Sequence, residues 1–384
     1  MIVLVTLVGD FDFVLPDELI AQQPNARGAS RLLVLGRETG PVTHTAVRAL
    51  PQYLRAGDVL VVNDTRVFPA RLLGHRVPSG GAVECLLLAR EEEPLDGDSA
   101  VDPRTPQMWS ALMHPGQKLK PGARVRFVHE SAGALMAAVV ERQFFGRRRI
   151  RLWAENGADV DSLVDAMGHV PLPPYIHRSD TPADRERYQT VFAVHRGSIA
   201  APTAGLHFDP PLLESIDRAG VERVGVTLHV GYGTFKPVRA QHVEDHVVDP
   251  EPYEISASAA AAINAALDAG RRVVAVGTTT TRALEDAARR GNGRIVPGAA
   301  RADLFIYPGF DFRVVSGLVT NFHLPKSSLL MLVCAFAGRE RVLDAYREAV
   351  AQRYHFYSYG DAMLILSGFE RGRSTLQRLA EREP

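Results

Sequence analysis

Residues 57–74 read GDVLVVNDTRVFPARLLG and mark a change in the pattern of the chain. The apolar run 59–62 predicts a buried strand, and the polar residues 63–66 after it predict a turn. From residue 74 to Trp153, short β-type runs alternate with glycine and proline and show no helical period. We therefore predict that residues 74–153 form a small β-barrel, or a sandwich, inserted here as a domain of its own.

Helix and strand patterns alternate in the rest of the chain, residues 1–73 and 154–384. Residues 221–230 and 272–276 predict strands, and the alanine-rich stretch 257–269 predicts a helix. Such alternation is typical of an α/β domain with a layered, mostly parallel sheet. We expect the two parts to form one discontinuous catalytic domain around the barrel.

Composition excludes several classes of protein. The chain has 384 residues, 46% hydrophobic and 23% charged, enough for two substantial cores. Its 44 basic and 44 acidic residues cancel, so only a local patch could attract nucleic acid. The apolar runs are too short to span a bilayer and no signal-peptide pattern is present, so we expect a cytoplasmic protein without membrane contact, and a monomer. Cys85 and Cys334 stand in apolar runs, and no motif predicts a metal site.

Three loops each carry one histidine beside glycine, proline or threonine. They are His207 in APTAGLHF, His229 in TLHVGYGTFKPVR and His323 in TNFHLPKSS. Each histidine alone also fits a buried structural role. Because core histidines have no reason to fall repeatedly beside turn residues, we predict that the three meet at one sheet edge.

A strand, a glycine and a helix start follow one another in AVGTTTTRALE, residues 275–285. Free N–H groups at such a helix start favour an anion, and Arg282 in the first turn could add a charge-assisted bond. The alternative is that the threonines only cap the helix.

The predicted barrel carries a basic stripe. Alternation in a strand puts Arg124 and Arg126 on one face, and likewise Arg147, Arg149 and Arg151. Such a stripe could bind phosphates, although a solvated charged face is the alternative. We define the basic stripe as Lys118, Lys120, Arg124, Arg126, Arg147, Arg149 and Arg151.

These motifs, with FDFVLPDELIAQQP (11–24), GSIAAPTAGLHF (197–208) and FYSYGDAMLIL (356–366), resemble one family in order from about residue 10 to 365. It is the S-adenosylmethionine:tRNA ribosyltransferase-isomerase family of queuosine biosynthesis, the QueA family. The resemblance implies an α/β domain with an inserted β-barrel. It also implies transfer and isomerisation of the ribosyl part of S-adenosylmethionine onto 7-aminomethyl-7-deazaguanine at the wobble position of a tRNA. Adenine and methionine leave, and no metal or cofactor is implied beyond S-adenosylmethionine as the ribosyl donor.

That reaction requires a base beside the sulfonium, an acid for adenine and a neutral attacking amine. Histidine, with an ordinary pKa of about 6.5, can serve in either direction. We predict His207, His229 and His323 as the proton-transfer groups, with Asp361 as a helper. Which histidine is base and which is acid stays open.

Further residues are predicted to bind the substrates. The sulfonium should meet aromatic rings, and the methionine carboxylate should meet the helix start at residues 278–281 with Arg282. Asn63, Asp64, Arg66 and Arg71 are assigned to the deazaguanine edge or the anticodon backbone. The remaining candidates are Thr203, Gly205, Phe208, Gly231, Tyr232, Gly233, Thr234, Phe235, Thr278, Thr279, Asn321 and Lys326.

The chain departs from the family pattern HxMHxE, because residues 246–251 read HVVDPE and Asp249 replaces the second histidine. The loop 91–107 is also longer, and the segment 23–27 shorter, than the pattern. A rival reading is an S-adenosylmethionine-dependent methyltransferase, which would release S-adenosylhomocysteine rather than adenine. A non-catalytic RNA-binding protein would tolerate loss of the three histidines but not of the arginines.

Overall fold

The structure is a computed structural model that describes residues 6–91, 102, 104–235 and 237–368, without the side chains of Phe145 and Phe235. Within these residues the strands are β1 Arg31–Gly36, β2 Thr43–Ala46, β3 Val59–Asn63, β4 Thr65–Val67, β5 Arg71–Val77, β6 Ala82–Glu91, β7 Gln107–His114, β8 Arg124–His129, β9 Gly133–Arg142, β10 Arg147–Ala154, β11 His195–Ser198, β12 Glu222–Leu228, β13 Glu251–Ile255, β14 Val273–Val276, β15 Gly298–Ala302, β16 Gly317–Asn321 and β17 Ala362–Leu366.

The α-helices of the same residues are α1 Val160–Met167, α2 Asp184–Arg187, α3 Pro210–Arg218, α4 Ala257–Asp268, α5 Thr278–Arg290, α6 Ser328–Ala337 and α7 Arg339–Ala351. Short 3-10 helices cover Val8–Phe11, Asp17–Leu19, Val47–Gln52, Gly116–Lys118, Phe144–Gly146, Thr203–His207, Tyr232–Phe235 and Val243–Asp245.

One large sheet of nine described strands has the order β15-β13-β12-β3-β14-β16-β17-β1-β2. Its centre is a block of parallel neighbours, β12, β3, β14 and β16. Val59 and Val61 of β3 face one hydrophobic cluster, whereas Leu60 and Val62 face another. A strand covered on both faces has no polar side, which is why its sequence is a continuous apolar run. The prediction of a layered, mostly parallel α/β sheet is confirmed.

Strands β5 to β10 close into a barrel of antiparallel neighbours in the order β10-β7-β6-β5-β8-β9. On β8, Val125 and Phe127 fill the barrel while Arg124 and Arg126 face outwards, the alternation that a half-buried strand requires. The inserted barrel is therefore confirmed. The division of the chain into separate domains at residues 73 and 154 stays a prediction.

The turn after β14 sets the position of α5. Gly277 has a φ of 97°, which L side chains rarely adopt, so a glycine lets the chain turn from strand to helix within one residue. β14 ends at Val276 and α5 starts at Thr278. The first turn of α5 consequently lies at the carboxyl end of the parallel block, where ligands bind in open α/β sheets.

Candidate active site

A cavity of about 370 Å³ lies at the carboxyl ends of β14 and β16, and we call it the central cavity. Its walls come from residues 174, 175 and 177, the segments 201–204, 277–279, 320–327 and 357–358, and Val230, Thr234, Pro237 and Leu329. Seven of the side chains predicted from sequence line it. They are Thr203, Thr234, Thr278, Thr279, Asn321, His323 and Lys326.

The amino end of α5 forms part of this wall. No side chain caps the helix, because the N-cap residue is Gly277. The hydroxyls of Thr280 and Thr281, inside the helix, donate to the carbonyls of Val276 and Gly277 at 2.6 and 3.1 Å. Thr278 and Thr279 border the cavity. The first-turn N–H groups and the positive end of the helix dipole therefore favour an anion at this place.

His323 is the predicted proton-transfer residue that lines the central cavity. The Thr320 hydroxyl is 2.8 Å from its Nε2, and the backbone N–H of His323 donates to the Tyr346 hydroxyl at 3.1 Å. Burial lowers the pKa of His323 to about 3 because desolvation disfavours the charged ring. The imidazole is thus neutral at physiological pH.

His207 lies behind the cavity wall, at 4% exposure. Its Nδ1 is 2.9 Å from the Ser30 hydroxyl, and burial lowers its pKa to about 4, opposed by the Asn321 side chain. Nε2 of His207 and Oδ1 of Asn321 are both buried without a hydrogen-bond partner. Asn321 also donates from Nδ2 to the carbonyl of Tyr357 at 2.8 Å. Asn321 thus separates His207 from the cavity.

His229 belongs to a different surface. Its Nδ1 is 2.8 Å from the Thr65 hydroxyl, whereas the next residue, Val230, lines the central cavity. Burial and the nearby His195 lower the pKa of His229, and Asp64 opposes them. Neighbouring residues at a strand end point to opposite sides. The structure therefore brings His207 and His323 to the same wall but leaves His229 outside it.

Asp361 and Asn63 are occupied by the protein itself. Asp361 is 2% exposed and accepts from the backbone N–H groups of Arg31 and His355, both at 2.8 Å. Nδ2 of Asn63 donates to the carbonyl of Leu228 at 2.9 Å, and its Oδ1 accepts from the N–H of Leu228 at 3.0 Å. Both side chains fix loops at the sheet edge and do not line the central cavity.

Two other candidates serve packing. Phe208 is fully buried in a hydrophobic cluster, where its ring meets Phe192. A Cβ on Gly205 would lie 2.7 Å from the side chain of Thr190 and 2.8 Å from that of Phe192, so only glycine lets these two side chains pack against the backbone here. The sequence placed both residues at the ligand because it showed the motif but not the direction of its side chains.

Arg282 holds protein groups with all three of its guanidinium nitrogens. Nη1 donates to Glu251 at 2.7 Å, and Nε and Nη2 donate to the carbonyls of Leu304 and Ala302 at 3.1 and 3.2 Å. The other oxygen of Glu251 accepts from the Gly231 N–H at 2.9 Å and from the Thr234 hydroxyl at 3.2 Å. Arg282 therefore supports the turn that brings Thr234 to the central cavity.

The remaining predicted contacts lie near the cavity or elsewhere. Lys326 pairs with Asp12 at 2.6 Å, and Asp64 accepts from the Thr227 hydroxyl at 2.6 Å. Gly233 packs against Asp249, whose side chain a Cβ would approach to 2.8 Å. Arg66 borders another cavity of about 200 Å³, Arg71 and Tyr232 border one of about 270 Å³, and the Phe235 side chain lies outside the described residues.

The central cavity also contains aromatic residues that the sequence did not single out. The rings of Tyr175 and Tyr357 lie 4.1 Å apart between centroids, and the Tyr175 hydroxyl is 2.5 Å from that of Ser358. Tyr357 adopts a φ of 74°, uncommon for a bulky residue, in the wall of the cavity. The motif FYSYGDAMLIL contains Tyr357, but the sequence singled out only Asp361 from it.

The basic stripe is partly neutralised. Arg126 pairs with Glu155 at 2.8 Å, Arg149 with Glu91 at 2.6 Å and Arg147 with Asp249 at 3.1 Å. The last pair joins β10 of the barrel to the segment 246–251, at the position where the family pattern has a histidine. Arg124 and Arg151 lie on either side of Ala138 of β9, both exposed. With Lys118 and Lys120 they are the members of the stripe for which the described residues provide no ion pair.

Among the residues that the structure describes, no group of three or more histidine, cysteine, aspartate or glutamate side chains could hold a metal ion. None of the described helices combines the length and the apolar character needed to cross a bilayer.

Residues 8–365 match the model of a family described as queuosine biosynthesis protein. The S-adenosylmethionine:tRNA ribosyltransferase-isomerases of Heliobacterium modesticaldum and Symbiobacterium thermophilum are 49% and 50% identical to the chain, over 93% and 94% of its length and 98% and 99% of theirs. The crystal structure of S-adenosylmethionine tRNA ribosyltransferase from Thermotoga maritima is 37% identical, covers 93% of this chain and 100% of its own, and superposes with a TM-score of 0.50. Because the family model spans most of the chain and near-complete relatives share about half of its residues, the chain belongs to the queuosine biosynthesis protein family.

Proposed function

We propose that this chain is an S-adenosylmethionine:tRNA ribosyltransferase-isomerase. It transfers the ribosyl moiety of S-adenosylmethionine to 7-aminomethyl-7-deazaguanine at the tRNA wobble position, rebuilds it into an epoxycyclopentane, and releases adenine and methionine. The observation that carries the proposal is the central cavity, in a chain with near-complete relatives of that name. Its size and its position at the end of a parallel block suit a small-molecule substrate.

The donor substrate binds in the central cavity. Its methionine carboxylate lies at the uncapped start of α5, beside Thr278 and Thr279, where N–H groups and the helix dipole stabilise an anion. Tyr175 and Tyr357 offer ring faces for the sulfonium or the adenine. Arg282, which the sequence assigned to the carboxylate, acts instead through the turn that it supports.

His323 moves the protons in this proposal. A neutral imidazole can accept the proton from the carbon beside the sulfonium. The burial that lowers its pKa makes the ring a weak base when neutral and a strong acid when protonated, so it favours the second transfer, to departing adenine, over the first. His207 positions Asn321 from behind the wall. His229 and Asp361 have structural roles here, in contrast to the roles that the sequence predicted.

The tRNA approaches along the barrel. The exposed members of the basic stripe, Arg124, Arg151, Lys118 and Lys120, contact phosphates, and the wobble nucleotide leaves its stack to reach the sheet domain. A cytoplasmic location, a monomeric state and independence from metals stay predictions.

The test is incubation with S-adenosylmethionine and tRNA that carries the modified base. We expect free adenine in solution and a modified nucleoside whose mass has increased by that of the epoxycyclopentane group. Release of S-adenosylhomocysteine in place of adenine would point to a methyltransferase. His323→Gln should lower turnover by about 10²- to 10⁴-fold, the usual contribution of an acid-base group. The exposed His75→Gln on the barrel is the matched control. Equal turnover in the two variants would remove His323 from the mechanism.

A further inference from the structure

The cavity of about 270 Å³ lies between the barrel and residues of the segment 170–180, Ile199 and Tyr232, and we call it the junction cavity. Arg71 of β5 and Glu84 and Leu86 of β6 form its barrel side. On β6, Glu84 and Leu86 share the outer face, whereas Cys85 between them is buried in the barrel. The junction cavity therefore lies outside the barrel, on the face of β6 opposite to Cys85.

The junction cavity and the central cavity share one wall of backbone. In the turn after β12, Val230 and Thr234 line the central cavity while Tyr232 lines the junction cavity. Likewise, Ala201 lines the central cavity and Ile199 lines the junction cavity, and Pro174 borders both cavities. Ligands in the two cavities would consequently be neighbours, as the two substrates of a transfer reaction must be.

The polar end of the junction cavity is an ion pair with two parallel bonds. Arg71 donates from Nε and Nη2 to the two oxygens of Glu84, at 2.8 and 3.1 Å. The Arg71 guanidinium holds the pKa of Glu84 below its usual range, so the carboxylate is charged at neutral pH. Glu84 remains 45% exposed, and each oxygen keeps acceptor capacity beyond its bond to Arg71.

Two further charged residues, Arg178 and Asp180, border the cavity, but both have protein partners: Arg178 pairs with Asp184, and Asp180 accepts from the Val170 N–H and lies 2.9 Å from Nδ1 of His169. The rest of the lining is apolar or aromatic and includes Leu86, Val170, Ile199 and the ring of Tyr232. A flat ring with N–H donors at one edge matches this combination, because stacking and apolar contact suit its faces while a carboxylate accepts from its edge. Guanine-type bases present two such donors on the Watson–Crick edge, the ring N–H and the exocyclic amine.

We propose that the junction cavity binds the acceptor nucleobase, an unpaired 7-deazaguanine with a primary amine, and that Glu84 recognises its N–H groups. This inference rests on the proposed function, which puts the ribosyl donor across the shared wall. Asn63, which the sequence assigned to the same base, uses its side-chain amide for hydrogen bonds to the backbone of Leu228. Glu84 is therefore a specificity-determining residue of the acceptor site.

The matched pair Glu84→Gln and Glu155→Gln tests the proposal. Both glutamates lie on the barrel side of the molecule and bind an arginine through two bonds, but Glu155 pairs with Arg126 away from the junction cavity. Steady-state kinetics with each substrate varied in turn separates their effects. Glu84→Gln should raise the KM for modified tRNA about tenfold, as expected for one charged contact to a base, and leave the KM for S-adenosylmethionine within about twofold. Glu155→Gln should raise neither KM, because freeing Arg126 of the basic stripe from its partner can only strengthen phosphate contact.

A second variant, Leu86→Trp, fills the junction cavity from the outer face of β6. It should show the same split between substrates, and it decides the question if Glu84→Gln fails to fold. Direct titration of modified tRNA without S-adenosylmethionine adds a readout independent of turnover. Wild-type kinetics in both variants would overturn the nucleobase site and leave the proposed function standing. Failure of the wild-type protein to release adenine would instead refute the proposed function.

Discussion

The buried histidine behind the central cavity should make the protein sensitive to mild acid, and replacing it should reduce that sensitivity. His207 is surrounded by protein, with Ser30 at one ring nitrogen and the amide of Asn321 near the other. Burial lowers its pKa to about 4, whereas a histidine in the unfolded chain titrates near 6.5. Between these values only the unfolded chain binds the proton. The free energy of unfolding therefore falls as the pH is lowered through this window.

The size of the effect follows from the two pKa values. One pKa unit corresponds to about 1.4 kcal/mol, so His207 should cost about 2 kcal/mol of unfolding free energy between pH 7 and pH 5. Below pH 4 the folded protein is protonated too, and the loss from this residue stops. His207→Gln removes the titrating ring and keeps a polar group for Ser30. Its unfolding free energy should accordingly depend less on pH by that amount.

Denaturant unfolding at pH 7 and pH 5 measures the difference directly. The comparison uses wild type, His207→Gln and the exposed His75→Gln as control. Each variant is compared with itself at the two pH values, so any stability that the substitution costs at pH 7 cancels. The reasoning would be refuted if His207→Gln lost as much stability on acidification as the control.

Two further outcomes are expected. Arg282→Met should lower the unfolding free energy by about 3 to 5 kcal/mol, because it leaves the buried Glu251 carboxylate without its arginine partner. In the double variant Arg282→Met with Glu251→Gln, thermal melting should show that part of this stability is recovered. No recovery would mean that the two side chains are not coupled. Arg124→Glu with Arg151→Glu should weaken tRNA binding and flatten its dependence on log salt by about 1.4 to 1.8, as expected for two lost phosphate contacts. Filter binding over a salt series measures this slope. An unchanged slope would mean that neither arginine contacts a tRNA phosphate.

The inserted barrel was predictable because its signals are local. Alternating residues such as those of β8 and the glycines and prolines between runs identify strands without knowledge of their partners. The family was predictable for a related reason, since contiguous motifs such as GSIAAPTAGLHF carry it. Both predictions are confirmed. The order of the nine-stranded sheet was not predictable, because it depends on pairings between segments far apart in the chain.

The sequence by itself determined which residue types gather at turns and helix starts, and hence the family, the fold class and the motif around each histidine. Only the tertiary structure decided where these side chains point. His323 reaches the central cavity, whereas His207 is held behind it by Asn321 and His229 turns to Thr65. A shift of one residue along an extended chain reverses the direction of a side chain, so the choice is made by pairing and packing with distant segments, which local sequence does not contain.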